Sequence, residues 1–376
     1  MNSLQAVRAA AAALSIAALV AATVAMAADP AEWAQVGRPA PAREFLQPTL
    51  DPDLPAYRSC GARGRLEGVA PPIVVELARL WLRAFEQHEP GVRIDLPPPY
   101  LPPQGELNPR LRAFLDGRYD FAFVTREMAA ADVAAFRRAY GFDPLQVPVS
   151  GGSYRHFGFV DAVAVVVHQS NPVRGLTLAQ LDAIFSRTRY RAGAPVATWD
   201  QLGVREWAGK PVHVVGTGAW AAEESARATF FRERVMDADG RRGEWRDDTG
   251  PPDAGDSIVT EAVAADPLAI GFTAMGHLVP GVRPIGIGLR AESGPIEPTY
   301  ENVARALYPL SRVFYLVVAP APGRPLAPAL DAFVRFLVSR EGQAVVLAHG
   351  VFLPLRAAQA EAARRMLPAG DSCGQP

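Results

Sequence analysis

Cysteine is scarce in this chain, with only Cys60 and Cys373 among 376 residues. An even count in an oxidising compartment permits one disulfide joining the start of the folded region to its tail; the alternative is two free thiols. In the chain-entropy view so long a loop contributes about 4–5 kcal/mol. Neither catalysis nor a metal site follows from this pair. Net charge is also lacking: 38 Lys and Arg against 39 Asp and Glu give −1, so nothing pulls the chain generally toward nucleic acid or an anionic membrane. Enzyme signatures are missing too: there is no GxSxG, no HExxH, no P-loop and no cysteine or histidine cluster. His88, His156, His168, His213, His277 and His349 are scattered. No carboxylate pair stands poised for acid–base work, and Asp116 and Asp120 read as solvated flanks of a turn. The Gly-x-Gly inside "GVRPIGIG" (281–288) follows no clear βα unit and is weak evidence for a nucleotide. These absences exclude the common enzyme classes, so no catalytic residue, metal or cofactor is expected. Beyond the first thirty residues no apolar run is long enough to cross a bilayer.

What is present begins at the N-terminus. One arginine, Arg8, precedes a long Ala-rich apolar run that closes in Ala25-Met26-Ala27, the pattern of a cleavable secretory signal over residues 1–27. The competing reading is a membrane anchor. No cysteine follows the cleavage point, so the mature protein is expected in the periplasm without a lipid. Residues 28–57 are Pro-rich and read as an N-terminal arm. The remaining length suits two domains rather than one, and 35 Pro with 32 Gly predict short elements joined by rigid turns. Helical spacing of Val75, Leu77, Leu80, Trp81 and Phe85 predicts a helix from Pro72. "YDFAFVT", "DAVAVVVH", "PVHVVG", "AIGFTAM" and "FYLVVAP" read as strands. "AAADVAAFRRAYG", "TLAQLDAIFS" with Thr177 as its cap, "SIVTEAVAAD" and two closing helices after Leu326 read as helices. Alternation of strand and helix predicts an α/β fold with largely parallel sheets. An exported α/β chain with two lobes and no catalytic groups has the profile of a protein that closes on a small ligand.

Five segments then occur in order: "DAVAVVVHQSNPVRGLTLAQLDAIFS", "ATWDQLG", "AIGF", "YPLSRVFYLVVAPAPGRPL" and "FLVSREGQAVVLAHGVFLPL". Together they resemble the periplasmic phosphate-binding components of phosphate ABC importers, over roughly residues 62–356. The most specific pieces are Tyr308–Arg312, Ser339–Gln343 and Pro354-Leu355. Each has a structural use as well: Leu176, Leu178, Leu181, Ile184 and Phe185 pack a helix, Trp199 fills a core and Gly271 permits a tight strand. The resemblance implies a two-lobed type II periplasmic binding protein fold with an interlobe cleft. It divides the chain into lobe one (58–168 and 313–366), lobe two (169–312) and a tail (367–376). It further implies a monomer that captures a small oxyanion, phosphate or a relative, and presents it to the membrane subunits of an ABC importer, with no nucleic-acid partner.

The ligand loops depart from that family. Where it has Gly-Ser-Asp-Thr before the first helix, this chain has Ala70-Pro71-Pro72-Ile73, and two prolines remove backbone donors. Its second loop is "PPQGELNP", with Gly105 and Glu106 but no hydroxyl. In the third, Gly216 matches, Thr217 stands where an arginine is expected, Ser225-Ala226-Arg227 replaces Ser-Gly-Thr, and Glu223 and Glu224 are new. "VTREM" keeps the hydroxyl-arginine pattern: Thr125 donates and Arg126 either clamps an oxyanion bidentately or makes an internal ion pair with Glu127 or a cleft glutamate. Ser257 heads a helix, as its cap or facing the cleft. The ligand-binding set read from sequence is therefore Thr125, Arg126, Thr217, Ser225, Arg227 and Ser257. Two alternatives stay open: a binding protein for a different small solute, and a sensor or interaction module whose cleft no longer binds phosphate.

Overall fold

The computed structural model describes residues 48–97, 114–128, 130–156, 160–191, 193–216, 226–247 and 256–368. The chain opens with β1 (Gly64–Val69), α1 (Pro72–His88), β2 (Val92–Asp95), β3 (Phe121–Val124), α2 (Ala130–Tyr140) and β4 (Leu145–Gly151). A second group follows: β5 (Val163–His168), β6 (Gly175–Thr177), α3 (Leu178–Phe185), β7 (His213–Val214), α4 (Ala226–Val235), α5 (Asp256–Ala265), β8 (Ala269–Ala274), β9 (Val282–Pro284), β10 (Gly286–Gly288) and α6 (Tyr300–Ala304). The chain then returns through β11 (Val313–Val318) to α7 (Pro328–Leu337), α8 (Arg340–His349) and α9 (Ala357–Arg365). Among the described residues, no helix is long and apolar enough to cross a membrane.

The first group and the return build a five-stranded sheet in the order β2-β1-β3-β11-β4, and the middle of the chain builds a four-stranded sheet, β7-β8-β5-β9. Pairing is mixed rather than largely parallel. β1 runs parallel to β2 and β3, and β7 to β8, but β11 is antiparallel to β3 and β4, and β5 to β8 and β9. The reason is topological: β11 leads the chain back and must run against the strands it joins. The strand at Val163–His168 lies in the four-stranded sheet, not with lobe one as the resemblance had it. Its five valine and alanine residues from Val163 to Val167 are wholly buried there, and its register against β8 runs Val163↔Ala274 to Val167↔Ile270. Five strands escaped the sequence reading: β1, β4 and the three-residue β6, β9 and β10. Gly64 and Gly68 dilute β1, and Pro148 interrupts β4, which tolerates proline because it is an edge strand with an irregular register beside it.

Packing explains several of the signature residues. α1 starts on Pro71-Pro72 with no side-chain cap, and buries Val74, Leu77, Ala78, Trp81, Leu82 and Phe85. The buried stripe is therefore rotated slightly from the expected one, with Val74 inside and Val75 only half-buried. Trp81 stacks on Phe123 (5.7 Å) and donates from Nε1 to the Gly342 carbonyl (2.8 Å). In α3 the expected cap is present and reciprocal: Gln180 N–H donates to Thr177 Oγ1 (3.1 Å) and Thr177 N–H to Gln180 Oε1 (2.9 Å). Ser339 caps α8, and Gln343 satisfies all the polar atoms of its buried amide by joining three segments: Nε2 donates to the Val149 and Leu337 carbonyls, and Oε1 accepts from Leu355 N–H. The Ser-Arg-Glu-Gly-Gln run is thus a staple between α7, α8, β4 and the closing Pro-Leu. In the other sheet, Phe272 stacks on Phe231 (4.1 Å) and Trp245 (5.6 Å), with Phe185 edge-on to Phe231 and Phe272. Gly271 is forced, since a Cβ there would sit 2.7 Å from Val259 Cγ1 and 2.8 Å from the Val215 carbonyl oxygen.

The described end of the arm lies against its own fold. Arg340 N–H donates to the Pro55 carbonyl (2.8 Å), Tyr57 N–H to Glu341 (2.6 Å) and Ala357 N–H to Asp51 (2.9 Å). Buried Glu89 then gathers Tyr57 Oη–H, Cys60 N–H and Ala62 N–H within 2.8 Å. Among the described residues no cysteine is a free thiol; Cys373 lies outside them.

Candidate functional site

Two segments carry the chain between the sheets and run side by side. Gly152 N–H donates to the Arg312 carbonyl (2.8 Å) and Val163 N–H to the Leu310 carbonyl (3.0 Å). They are packed closely enough that a Cβ on Gly152 would lie 2.7 Å from Arg312 Cβ. Arg312 ends the Tyr308–Arg312 signature, immediately before β11, and its side chain is buried where the two sheets' elements meet.

On one side stands the end of β3, where half-buried Thr125 and Arg126 follow the last strand residue. On the other stands α4, anchored in the second core by Ala228, Phe231 and Val235. Two ion pairs cross between them. Arg126 Nη1 reaches Glu233 Oε2 at 2.9 Å and also donates to the Glu127 carbonyl at 3.2 Å. Glu127 Oε1 receives Arg234 Nη2 (2.5 Å) and, from β11, the Tyr315 hydroxyl (2.6 Å). Arg232 pairs with Asp237 at 2.7 Å, along its own helix end. The Phe230 ring lies between cations, with Arg312 4.3 Å and Arg234 5.6 Å from its centroid, a geometry that favours positive charge on the ring face.

The electrostatics follow from burial and crowding. Removal from water, joined by the charges of Arg126 and Arg227, pushes the Arg312 guanidinium down to about 10, while Glu127 and Asp161 pull the other way. Arg312 remains protonated at neutral pH. The Glu233 carboxyl is held above its ordinary value, because burial outweighs the attraction of Arg126 and Arg232. Burial together with the adjacent Glu127 carboxylate raises the Tyr315 phenol, which stays a neutral donor.

Of the residues read from the sequence as ligand-binding, Thr125, Arg126 and Arg227 come to this one region. Arg126 has an ion-pair partner there, and it is Glu233 rather than its neighbour Glu127. Arg227 lies half-buried in the first turn of α4. Thr217 and Ser225 lie outside the described residues, as do Glu223, Glu224 and the loop with Gly105 and Glu106. α5 begins at Asp256, one residue ahead of Ser257, whose side chain is also outside them. The start of α1 is as its sequence implied: Pro71 and Pro72 supply no N–H, and no side chain caps the helix. Sequence reasoning missed Arg312, Glu233, Arg234 and Tyr315. Arg312 was visible only as part of a family signature. A charge set directly against the apolar strand "VFYLVV" was the available sign that it has a buried task. The scattered histidines have local contacts: His213 meets Asp266 at 2.6 Å, His168 meets Ser170 at 2.7 Å, and His349 stacks on Phe352 at 4.9 Å.

Residues 62–341 match the PBP superfamily domain. The chain belongs to the PBP superfamily. It is 30% identical over 321 residues to the phosphate-binding protein PstS of Pseudomonas aeruginosa, spanning 85% of this chain and 92% of that protein. To protein SphX of Synechococcus elongatus it is 26% identical over 236 residues, 62% of each chain. The crystal structure of PstS from Borrelia burgdorferi shares the fold, with a TM-score of 0.51 and 12% identity over 78% of this chain and all of that one. The two sheets and the paired crossing segments are thus the two-lobed architecture of this superfamily. The arginine-rich region lies between its lobes.

Proposed function

We propose that this protein is an exported solute-binding component that captures a small oxyanion, phosphate or a relative of it, in the interlobe cleft and presents it to an ABC importer. One observation carries the reading: the charges of Arg126, Arg227 and Arg312 converge from both lobes on a buried region between the crossing segments and α4. Guanidinium groups in a poorly solvated cleft favour an oxyanion over a neutral or cationic solute, because each offers paired N–H donors as well as charge. The similarity to a named phosphate-binding protein over most of both chains supports the same class. Residues 1–27 serve as the export signal, and the mature protein acts as a monomer. The lobes divide at the crossing segments, near residues 152–162 and 310–312, so that β5 belongs to lobe two. Thr125, with Thr217, Ser225 and Ser257 from lobe two, supplies neutral donors.

The test is a titration of the mature, ligand-stripped protein with inorganic phosphate, followed by calorimetry and melting temperature together. Saturable binding at micromolar phosphate is expected, with a melting shift that grows with ligand concentration as linkage requires. Absence of either at millimolar phosphate, with arsenate and sulfate also silent, would remove the oxyanion reading. We further propose that Cys60 and Cys373 are joined in the exported protein. Intact mass without reductant should show no alkylatable thiol, and two alkylated cysteines in the periplasmic fraction would refute the bond.

A further inference from the structure

We propose that Arg312, on the return crossing, is the residue that holds the oxyanion, in place of the arginine that the third ligand loop lacks. The inference rests on the oxyanion reading above and names the residue that carries it.

Three guanidinium groups are candidates, and their surroundings separate them. Arg126 already has Glu233 at 2.9 Å and the Glu127 carbonyl at 3.2 Å on its Nη1, so an anion must displace a carboxylate to use it fully. Arg227, in the first turn of α4, is half-buried where Arg312 is buried, although its Nε is shielded in the same way. Arg312 is 6% exposed, and its side chain makes no hydrogen bond among the described residues; Nε is fully shielded and has no acceptor. The guanidinium carbon lies over the Phe230 ring, 4.3 Å from its centroid. A cation over a ring face is attracted by the ring without an N–H···O or N–H···N bond, so the guanidinium donors remain unspent. The nearby carboxylates are committed elsewhere. Glu127 takes Arg234 and Tyr315, while Asp161 takes Ser153 Oγ–H (3.1 Å) and Gly276 N–H (2.6 Å). A buried cation without a bound acceptor is disfavoured, and so are donors left unmade. An oxyanion remedies both at once, and a planar fork suits two oxygens of one tetrahedral anion. Position adds to the case. Arg312 sits on a segment that joins both lobes and its backbone is held by Gly152, so an anion bound to it is reached from either side as the lobes close.

The experiment compares Arg312→Gln with Arg126→Gln in the mature protein, by calorimetric titration with inorganic phosphate. Circular dichroism and melting certify folding. Arg312→Gln should lose at least a hundredfold in affinity and Arg126→Gln less than tenfold. If wild type binds and Arg312→Gln binds within threefold of it, Arg312 is only a clamp on Phe230 and the assignment falls while the oxyanion reading stands. If wild type itself is silent to phosphate, the reading of the site falls first. In case Arg312→Gln does not fold, a crystal structure of the wild-type protein grown in millimolar phosphate decides. An anion within hydrogen-bond distance of the Arg312 guanidinium sustains the proposal, and an anion on Arg126 or Arg227 with Arg312 still bare overturns it.

Discussion

Gly342→Ala should remove a large part of this protein's folding stability. Gly342 occupies the first turn of α8, where alanine would ordinarily strengthen a helix by about 1 kcal/mol. Here the sign reverses, because an alanine Cβ would lie 2.1 Å from the Phe336 carbonyl oxygen, 2.7 Å from that of Leu337 and 2.9 Å from Leu337 Cα. All three obstacles are backbone, so no rotamer change relieves them, and α8 must move away from α7. That movement pulls the Gly342 carbonyl off Trp81 Nε1 and the Gln343 amide off Val149, Leu337 and Leu355. Overpacking typically costs about 1–3 kcal/mol, and the linked loss of buried hydrogen bonds adds about 1–3 kcal/mol more. A total near 4 kcal/mol is a large fraction of a domain's stability. Urea unfolding would measure it, with Ala348→Gly as the control on the exposed face of the same helix. A Gly342→Ala loss no larger than the control's would show that the helix pair can separate freely, against this account.

Glu127→Arg should be the most disruptive change between the lobes. Glu127 accepts from both Arg234 and the Tyr315 hydroxyl, and it offsets part of the charge around Arg312. An arginine there removes one cross-lobe ion pair and adds a like charge beside Arg126, Arg234 and Arg312. Because the Glu127 and Arg234 side chains are 39% and 40% exposed, water screens the pair and the loss is about 2 kcal/mol rather than a buried-pair value. Scattering in solution should show a larger radius of gyration than wild type, and the melting point should fall. Glu233→Gln should behave oppositely. Its carboxyl is raised in the folded state by burial, so the folded protein binds that proton more readily than the unfolded chain. The stabilising contribution of the carboxyl is then greatest below the ordinary glutamate value near 4.5 and is lost as pH rises through the folded value. At pH 7 glutamine should therefore match or exceed wild type in melting temperature, with the gap shrinking as pH falls toward 4.5. A Glu233→Gln melting point at pH 7 as low as that of Glu127→Arg would mean the Arg126 attraction outweighs desolvation.

Legibility in the sequence followed the range of the interactions. The helix at Pro72–His88, the Thr177–Gln180 cap and the buried strand at Val163–Val167 were readable because spacing, capping chemistry and continuous apolarity act within a few residues. β1 and β4 were hidden, because glycine and proline weaken their local signal and neighbouring strands hold them in place. In the site, the presence of Thr125 and Arg126 after a strand was readable, and so was the loss of donors at Pro71-Pro72. The partner of Arg126 was not, since Glu233 lies 107 residues away in the chain.

By itself the sequence determined an α/β chain rich in short elements, and its ordered segments carried the resemblance to periplasmic binding proteins. Those properties are composition, period and motif, and each is written in neighbouring residues. Tertiary structure alone decided the direction of β11, the sheet to which β5 belongs, the crossed pairs Arg126–Glu233 and Glu127–Arg234, and the burial of Arg312. Each of these depends on which distant segments come together. Burial, which lowers the Arg312 pKa and raises that of Glu233, arises only when both lobes have folded around them.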